Sequence, residues 1–318
     1  MPGLVSALSQ SVAPSTLKSY FSCFKKWKRW CSQFPEVKYF PASETYLGLY
    51  LVQLLQSGYS FTSIQSTLYA IGFFHKSCGL QNPCDSKFLK AVAQGCKRLD
   101  CKSNSVSRQK SPILPEHLSS LVSRFAGPRA SLSDIRDVTL CLVGFAGFFR
   151  FNELCNIKWS DISFADEFFS VTIPRSKTDQ YHNGSTVLIA KTGFPTCPYS
   201  MLVRYASSAR ADMTSNNFVF GKLIFHSSTK TYSLREGSQL SYSRAREVVL
   251  SKFSTIGLDQ TNFGLHSLRI GGASAAANND IPDRAIKKHG RWKSERSKDL
   301  YCRENLKHKL LVSLNLGI

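Results

Sequence analysis

Acidic residues are the first shortage. The 318-residue chain carries 21 Asp and Glu against 41 Lys and Arg, a formal net charge of +20. So large an excess points to a polyanionic partner, nucleic acid before membrane. The few carboxylates form no convincing triad, which argues against a transposase that holds metal ions on an acidic cluster. Long apolar runs are also missing. The longest, Val138–Phe149 between Asp137 and Arg150, is too short to span a bilayer and reads as a buried helix. The ten cysteines include no C-x-x-C pair and no Cys/His finger spacing, so no metal site is expected from them. Met1–Val12 lack the basic start and apolar core of a secretory signal, and reduced thiols in an intracellular protein are expected. No P-loop and no G-x-G-x-x-G occurs, so nucleotide hydrolysis has no support.

What is present is enough apolar sequence, 42% of the chain, for a substantial core, and length for two domains. The basic excess is concentrated early: residues 1–110 hold 14 Lys and Arg and 4 Asp and Glu. After a loose arm at 1–13, Ser15 or Thr16 can cap a helix to about Phe34. Tyr20, Phe24, Trp27, Cys31 and Phe34 make its apolar stripe. Lys25, Lys26, Lys28 and Arg29 crowd its other faces, either as a solvated surface or laid against phosphates. Further helices are predicted at about 43–56, 62–76 and 86–99. The last has Phe88, Leu89, Val92 and Cys96 apolar and Lys87, Lys90, Lys97 and Arg98 basic. Residues 1–100 therefore read as a small all-helical domain, with His75 as a structural residue. Residues 101–112 are polar and without periodicity, a linker carrying Lys102, Arg108 and Lys110. A second domain, 113–318, starts with helices from Pro115 to Phe125 and from about Ser131 or Ser133 to Phe149. Strands follow near Trp159–Ile162 and at Phe168–Pro174 and Ser185–Ala190. Asn183-Gly184 is a hairpin turn between the last two, although Asn183-Gly184-Ser185 is formally a glycosylation sequon. Helices are predicted at about Pro198–Ala206 and Ser241–Phe253, and Ser207–Leu240 as loop with short strand. The fold class is thus mostly α with a small β-sheet.

Residues 264–305 gather the chemistry. His266 and Arg269 are three apart and share a helix face. Small residues at Gly271–Ala277 allow close packing, and Pro282 opens a further helix to Lys288. Trp292 follows Gly290, and a short polar helix is predicted to carry Tyr301. A tyrosine among arginine and histidine suits phosphodiester cleavage. Arginine matches phosphate geometry and stays charged, a hydroxyl supplies the nucleophile, and histidine moves its proton. Upstream, Arg150 ends a largely apolar run, where a charge must be paired or emerge into a cleft. Glu153 can pair with it, which by itself is also what a purely structural ion pair would look like.

His266-x-x-Arg269, Trp292 twenty-three residues later and Tyr301 nine beyond that resemble the C-terminal box of the tyrosine recombinase (phage integrase) family. Arg150 followed by Glu153 resembles its first box, and Lys177, between two strands in Ser-Lys-Thr, its hairpin lysine, with Arg175 and Lys191 as alternatives. His289 stands off the family spacing and is read as structural or supporting. The resemblance implies an N-terminal helical (SAM-like) clamp on double-stranded DNA, an α+β catalytic domain, a 3′-phosphotyrosyl intermediate and no metal or cofactor. By it, Tyr301 is the nucleophile, Arg150 and Arg269 hold the phosphate, and Lys177 is the general acid. His266 assists the nucleophile, Trp292 donates its indole N–H, and Glu153 orients Arg150 or His266. It also implies four protomers on DNA, with the apolar tail after Glu304 docking in trans unless it folds back on its own domain. The stretches HSLRIGGASAAANN and KHGRWKS resemble recombinases of eukaryotic mobile elements of the DIRS and Crypton type, which would place the protein in the nucleus; outside eukaryotes the expected place is the cytoplasm or nucleoid. Type IB topoisomerase activity and a domesticated, inactive DNA-binding protein are the alternatives.

Overall fold

In a computed structural model, which describes residues 10–103, 110–174 and 184–317, the chain separates into two compact units, Met1–Ser107 and Arg108–Ile318. The first unit is built from α1 (Pro14–Cys31), α2 (Glu44–Gln56), α3 (Phe61–Ser77) and α4 (Lys87–Ser103). α1 ends at Cys31 rather than Phe34, because Phe34 already belongs to a turn, its N–H bonded to the Cys31 carbonyl. Trp27 and Cys31 of the expected stripe are buried, and Trp30 joins them. Its indole stacks on Trp27 at 5.3 Å and donates to Gln53 Oε1 of α2. Trp27 donates to the Tyr39 carbonyl at 2.8 Å, so both buried indoles have the partners such groups need. Leu47, Leu51, Ile64, Ile71 and Leu89 complete this core.

His75 is fully buried and structural. The Ala42 amide donates to its Nε2 at 2.9 Å, and its Nδ1 lies 2.8 Å from the Ile71 carbonyl. An amide only donates and a carbonyl only accepts, so the ring is neutral with its proton on Nδ1.

The second unit holds α5 (Pro115–Phe125), α6 (Leu132–Ala146), α7 (Phe151–Leu154), β1 (Ile162–Phe164), β2 (Phe168–Ile173), β3 (Ser185–Ala190) and α8 (Pro198–Ala209). It continues with β4 (Gly221–His226), β5 (Thr231–Gln239), α9 (Tyr242–Thr255), α10 (His266–Asn278), α11 (Asp283–His289), α12 (Glu295–Asp299) and α13 (Leu306–Leu314). β1, β2 and β3 form an antiparallel sheet in that order. The register pairs Val171 with Ile162 on one side and with Val187 on the other, so the three share the buried face.

α6 is the spine. Ser131 caps it by accepting from the Asp134 amide at 3.1 Å, and Val138, Leu140, Cys141, Leu142 and Val143 are buried along it. It ends at Ala146, earlier than the apolar pattern predicts. Gly147 takes the cap, and Phe148 turns into the left-handed region at φ 47°. The Ser207–Leu240 stretch differs most from expectation: it contains a full antiparallel hairpin, β4–β5. Its side chains face solvent on both sides over much of their length, so the two-residue alternation that marks a half-buried strand is missing. α4 runs on to Ser103, past the expected start of the linker. Residues 110–113 belong to the second unit, with the Ser111 amide bonded to Asn262 O and the Ile113 amide to Ser267 O. Among the described residues no helix is long and apolar enough to cross a membrane, and all ten cysteines are free thiols.

α10 packs into this unit through its glycines. A Cβ at Gly271 would come within 2.2 Å of the Ile113 carbonyl oxygen, and one at Gly272 within 2.1 Å of that of Phe145. Backbone cannot yield as a flexible side chain can. Gly272→Ala is therefore expected to destabilise the protein by about 1–3 kcal/mol, the cost of overpacking, read as a lower urea midpoint at unchanged slope.

Candidate active site

The site forms where the C-terminal end of α6, the start of α7 and the start of α10 meet the Gly290–Trp292 turn. Arg150 is the N-cap residue of α7, and Glu153 lies in its first turn. Glu153 Oε1 accepts from Arg150 Nη1 at 2.7 Å, and its Oε2 accepts from the Arg150 amide at 3.0 Å. Oε2 also accepts from Arg291 Nη2 at 2.9 Å and lies 4.0 Å from Arg269 Nη1. One buried carboxylate thus faces three guanidinium groups. Burial alone would raise its pKa, but the charges of Arg291 and Arg150 and the Arg150 amide outweigh it, and the carboxyl sits below its usual range.

Arg269 is fully buried. Its Nη1 donates to the Phe148 carbonyl and its Nη2 to the Gly290 carbonyl at 2.7 Å. Its guanidinium lies over the rings of Trp292 at 4.5 Å and Tyr301 at 5.0 Å. Burial and the neighbouring Arg150 push its pKa down to about 9, which leaves it charged at neutral pH. His266 stands at the N-terminal end of α10, its ring centroid 5.1 Å from that of Tyr301. Desolvation, then the charges of Arg269 and Arg150, hold its pKa below the ordinary histidine value, so the ring is neutral at pH 7 and free to take a proton. Tyr301 is half-buried and packs with Phe148, Ala273, Ile286 and Trp292. It follows α12 instead of lying on it: that helix is capped by Leu300, and the Tyr301 amide bonds to Lys298 O at 2.8 Å.

Five of the seven sequence-predicted catalytic residues, Arg150, Glu153, His266, Arg269 and Tyr301, are brought together with a sixth, Trp292. The seventh, Lys177, lies outside the described residues, as do its alternative Arg175 and the turn residue Asn183. Lys191 is exposed and lies over the Tyr199 ring. His289 is structural, its Nε2 donating to the Ala146 carbonyl at 2.8 Å and its ring edge-on to Phe148. Arg291 is the site residue that sequence reasoning missed. Held in the left-handed region at φ 58°, it donates to the Gly147, Phe148 and His289 carbonyls as well as to Glu153. Its place directly before Trp292 was the one available signal.

Three buried side-chain nitrogens have no hydrogen-bond partner among the described residues: Arg269 Nε, Arg291 Nε and Trp292 Nε1. All three belong to this cluster. Buried donors are nearly always satisfied, and leaving one bare costs about 1–3 kcal/mol. An open hollow of about 410 Å³ is lined by Arg150, His266, Ser241 and Tyr242, among others.

The basic residues of the first unit are disposed as expected for a surface. Lys25, Lys26, Lys28 and Arg29 on α1, and Lys87, Lys90, Lys97 and Arg98 on α4, are all exposed. Lys28 Nζ lies 4.7 Å from the Tyr39 ring centroid and Lys26 Nζ 5.3 Å from that of Tyr59. Lys110 Nζ donates to the Thr261 carbonyl at 2.6 Å. Arg108 and the side chain of Lys102 lie outside the described residues.

A mostly helical fold with a small antiparallel sheet, and a tyrosine packed on a buried arginine beside a histidine, define the class of tyrosine-type DNA recombinases. Residues 116–308 match the phage integrase family, and the chain belongs to that family. It is 30% identical over 304 residues to an integrase/recombinase xerD homolog of Selenomonas ruminantium, covering 93% of this chain and 84% of the relative. It is 24% identical over 157 residues to recombinase cre of Escherichia phage P1, 49% of this chain and 45% of that protein. In fold it is similar to the XerH site-specific recombinase bound to a palindromic difH substrate, with a TM-score of 0.66 at 14% identity over 95% of this chain and 80% of the other. The Tn1549 transposon integrase, in complex with circular intermediate DNA, aligns with a TM-score of 0.60 at 14% identity over 91% of each chain.

Proposed function

We propose that this recombinase cuts and rejoins double-stranded DNA at specific sites through a covalent 3′-phosphotyrosyl intermediate, without metal. The observation that carries the reading is the Tyr301 ring held 5.0 Å from the Arg269 guanidinium and 5.1 Å from both the Trp292 and His266 rings. A hydroxyl nucleophile set among fixed positive charge suits attack on a phosphate, because charges fixed in advance are worth most where negative charge develops in the transition state. Tyr301 Oη attacks the phosphorus, and its proton passes to the neutral His266. The bond from phosphorus to the 5′-oxygen breaks, and that oxygen takes a proton from Lys177, a role that rests on the resemblance. Arg150, Arg269 and Trp292 hold the non-bridging oxygens, and Glu153 fixes Arg150. The phosphotyrosyl bond keeps the energy of the broken one, so rejoining needs no nucleotide.

The first unit acts as the helical clamp, through the basic surfaces of α1 and α4, and the second as the catalytic domain. XerH bound to its difH substrate and the Tn1549 integrase in complex with circular intermediate DNA support DNA as the partner. The stretches HSLRIGGASAAANN and KHGRWKS favour a eukaryotic mobile element of the DIRS or Crypton type, and with it the nucleus and a role in integration or excision. Exchange proceeds in a tetramer on DNA. The tail helix α13 has no buried residue, and Leu306, Val312 and Leu314 are each more than two-thirds exposed, which supports docking on a neighbouring protomer. Deletion of residues 306–318 is expected to reduce assembly on DNA in sedimentation while leaving monomer binding intact; unchanged assembly would refute the docking.

Covalent trapping tests the whole reading. Wild type incubated with a pool of nicked duplexes in chelator is expected to give a denaturant-stable protein–DNA adduct, and Tyr301→Phe none. Adduct in both would place the nucleophile elsewhere. Salt-sensitive binding without adduct in either would favour an inactive DNA-binding protein. Relaxation of supercoiled DNA without any site preference would favour a topoisomerase.

A further inference from the structure

We propose that Ser274 and Asn278 are positioning residues for Tyr301, a role that rests on the reading of Tyr301 as the nucleophile. Both lie on α10, the helix whose first turn carries His266 and Arg269. They are four residues apart and share a face. Ser274 Oγ donates to the Tyr301 carbonyl at 3.1 Å and accepts from the Arg303 amide at 2.9 Å. Asn278 Nδ2 donates to the Arg303 carbonyl at 3.0 Å, and its Oδ1 accepts from the Asn305 amide at 2.9 Å.

The two side chains thus take the place of a neighbouring strand. They bond the main chain at every second residue: 301, 303 and 305. The spacing fits. Four residues of helix rise about 6 Å, and two residues of extended chain cover about 6.6 Å. Small residues clear the way: Ala273 of α10 belongs to the buried cluster against which Tyr301 and Cys302 pack, and Ala276 and Ala277 pack on that same cluster. Ser274 is 3% exposed, so its hydroxyl is shielded from water that would compete for these bonds.

The consequence is geometric. The element that presents His266 and Arg269 also sets the distance of the nucleophile from them, 5.1 Å between the His266 and Tyr301 rings and 5.0 Å from the Arg269 guanidinium to the Tyr301 ring. A nucleophile on an irregular segment beyond a five-residue helix gains the precision of the longer helix to which it is tied. Displacing a reacting group by about 1 Å can cost about 10²-fold in rate.

The test uses the full chain and a nicked duplex that traps the wild type, with three readouts: adduct rate, DNA affinity and hydrogen exchange at the Arg303 and Asn305 amides. Ser274→Ala with Asn278→Ala together is expected to slow adduct formation about 100-fold, with affinity within about twofold. Exchange at both amides should quicken while the α10 amides stay protected. Ser274→Thr keeps the oxygen and is expected to restore most of the rate when paired with wild-type Asn278. An adduct rate equal to wild type in the double variant, or unchanged exchange at the two amides, would overturn the proposal. So would parallel loss of binding and α10 protection, which marks general unfolding. If wild type itself gives no adduct, the reading of Tyr301 fails, and the exchange measurement still decides whether the tether exists.

Discussion

Exchange of Arg269 for lysine is expected to slow adduct formation by about 10³-fold, the loss typical of removing a fixed donor at a developing oxyanion. Charge is kept, so the loss isolates geometry. Arg269 holds the Phe148 and Gly290 carbonyls with its two Nη groups while its flat face lies on Trp292 and Tyr301. An ammonium cannot serve two divergent carbonyls and stack on two rings at once. DNA affinity should change far less than the rate, because most of the basic surface is elsewhere. Single-turnover cleavage beside a binding titration separates the two. Equal losses in rate and affinity would show that Arg269 holds DNA in its ground state and contributes nothing special in the transition state.

Glu153→Ala is expected to have the largest effect on stability, about 3–5 kcal/mol, the cost of breaking a buried ion pair from one side. The carboxylate is 2% exposed and bonds both Arg150 and Arg291, with Arg269 within 4.0 Å. Its removal leaves three guanidinium groups close together without a counter-charge. Glu153→Gln keeps the shape and one acceptor, and should lose less. The pH dependence follows from the lowered folded pKa. Glu153 contributes its full stability above the ordinary carboxylate value of about 4.3, and loses it as pH falls through the lower folded value. Urea melts from neutral to acid pH should show a wild-type loss in that range that Glu153→Ala no longer shows. A variant as stable as wild type at neutral pH would mean that water replaces the carboxylate among the arginines.

The sequence by itself determined the local pieces. Arg150 with Glu153 and His266 with Arg269 are each three residues apart, and helical turn geometry joins or aligns such pairs wherever the segment lies. The helix ends followed from caps and prolines, as at Ser131 and Pro115, and the β2–β3 pairing from two strand-like runs joined by the Asn183-Gly184 turn signal. The concentration of lysine and arginine on α1 and α4 could be read from periodicity alone. The β4–β5 hairpin escaped because a strand exposed on both faces has no alternating pattern to read.

Only the tertiary structure decided the partners across the chain. Arg291 looks like one more basic residue in a basic segment until folding brings it to Glu153, 138 residues away. His289 is read from the sequence as structural or supporting, but its partner, the carbonyl of Ala146, lies 143 residues distant. Gly271 and Gly272 read as generic small residues, and the approach of the Ile113 and Phe145 carbonyls gives each its reason. Ser274 reads only as one of the small residues of Gly271–Ala277, and it and Asn278 become meaningful when the Tyr301 segment lies along them. The physical reason is the range of the forces involved. Helix and strand periodicity is written within a few residues, whereas a buried charge or an unpaired N–H acquires its meaning from whatever distant backbone the packing of apolar faces brings beside it.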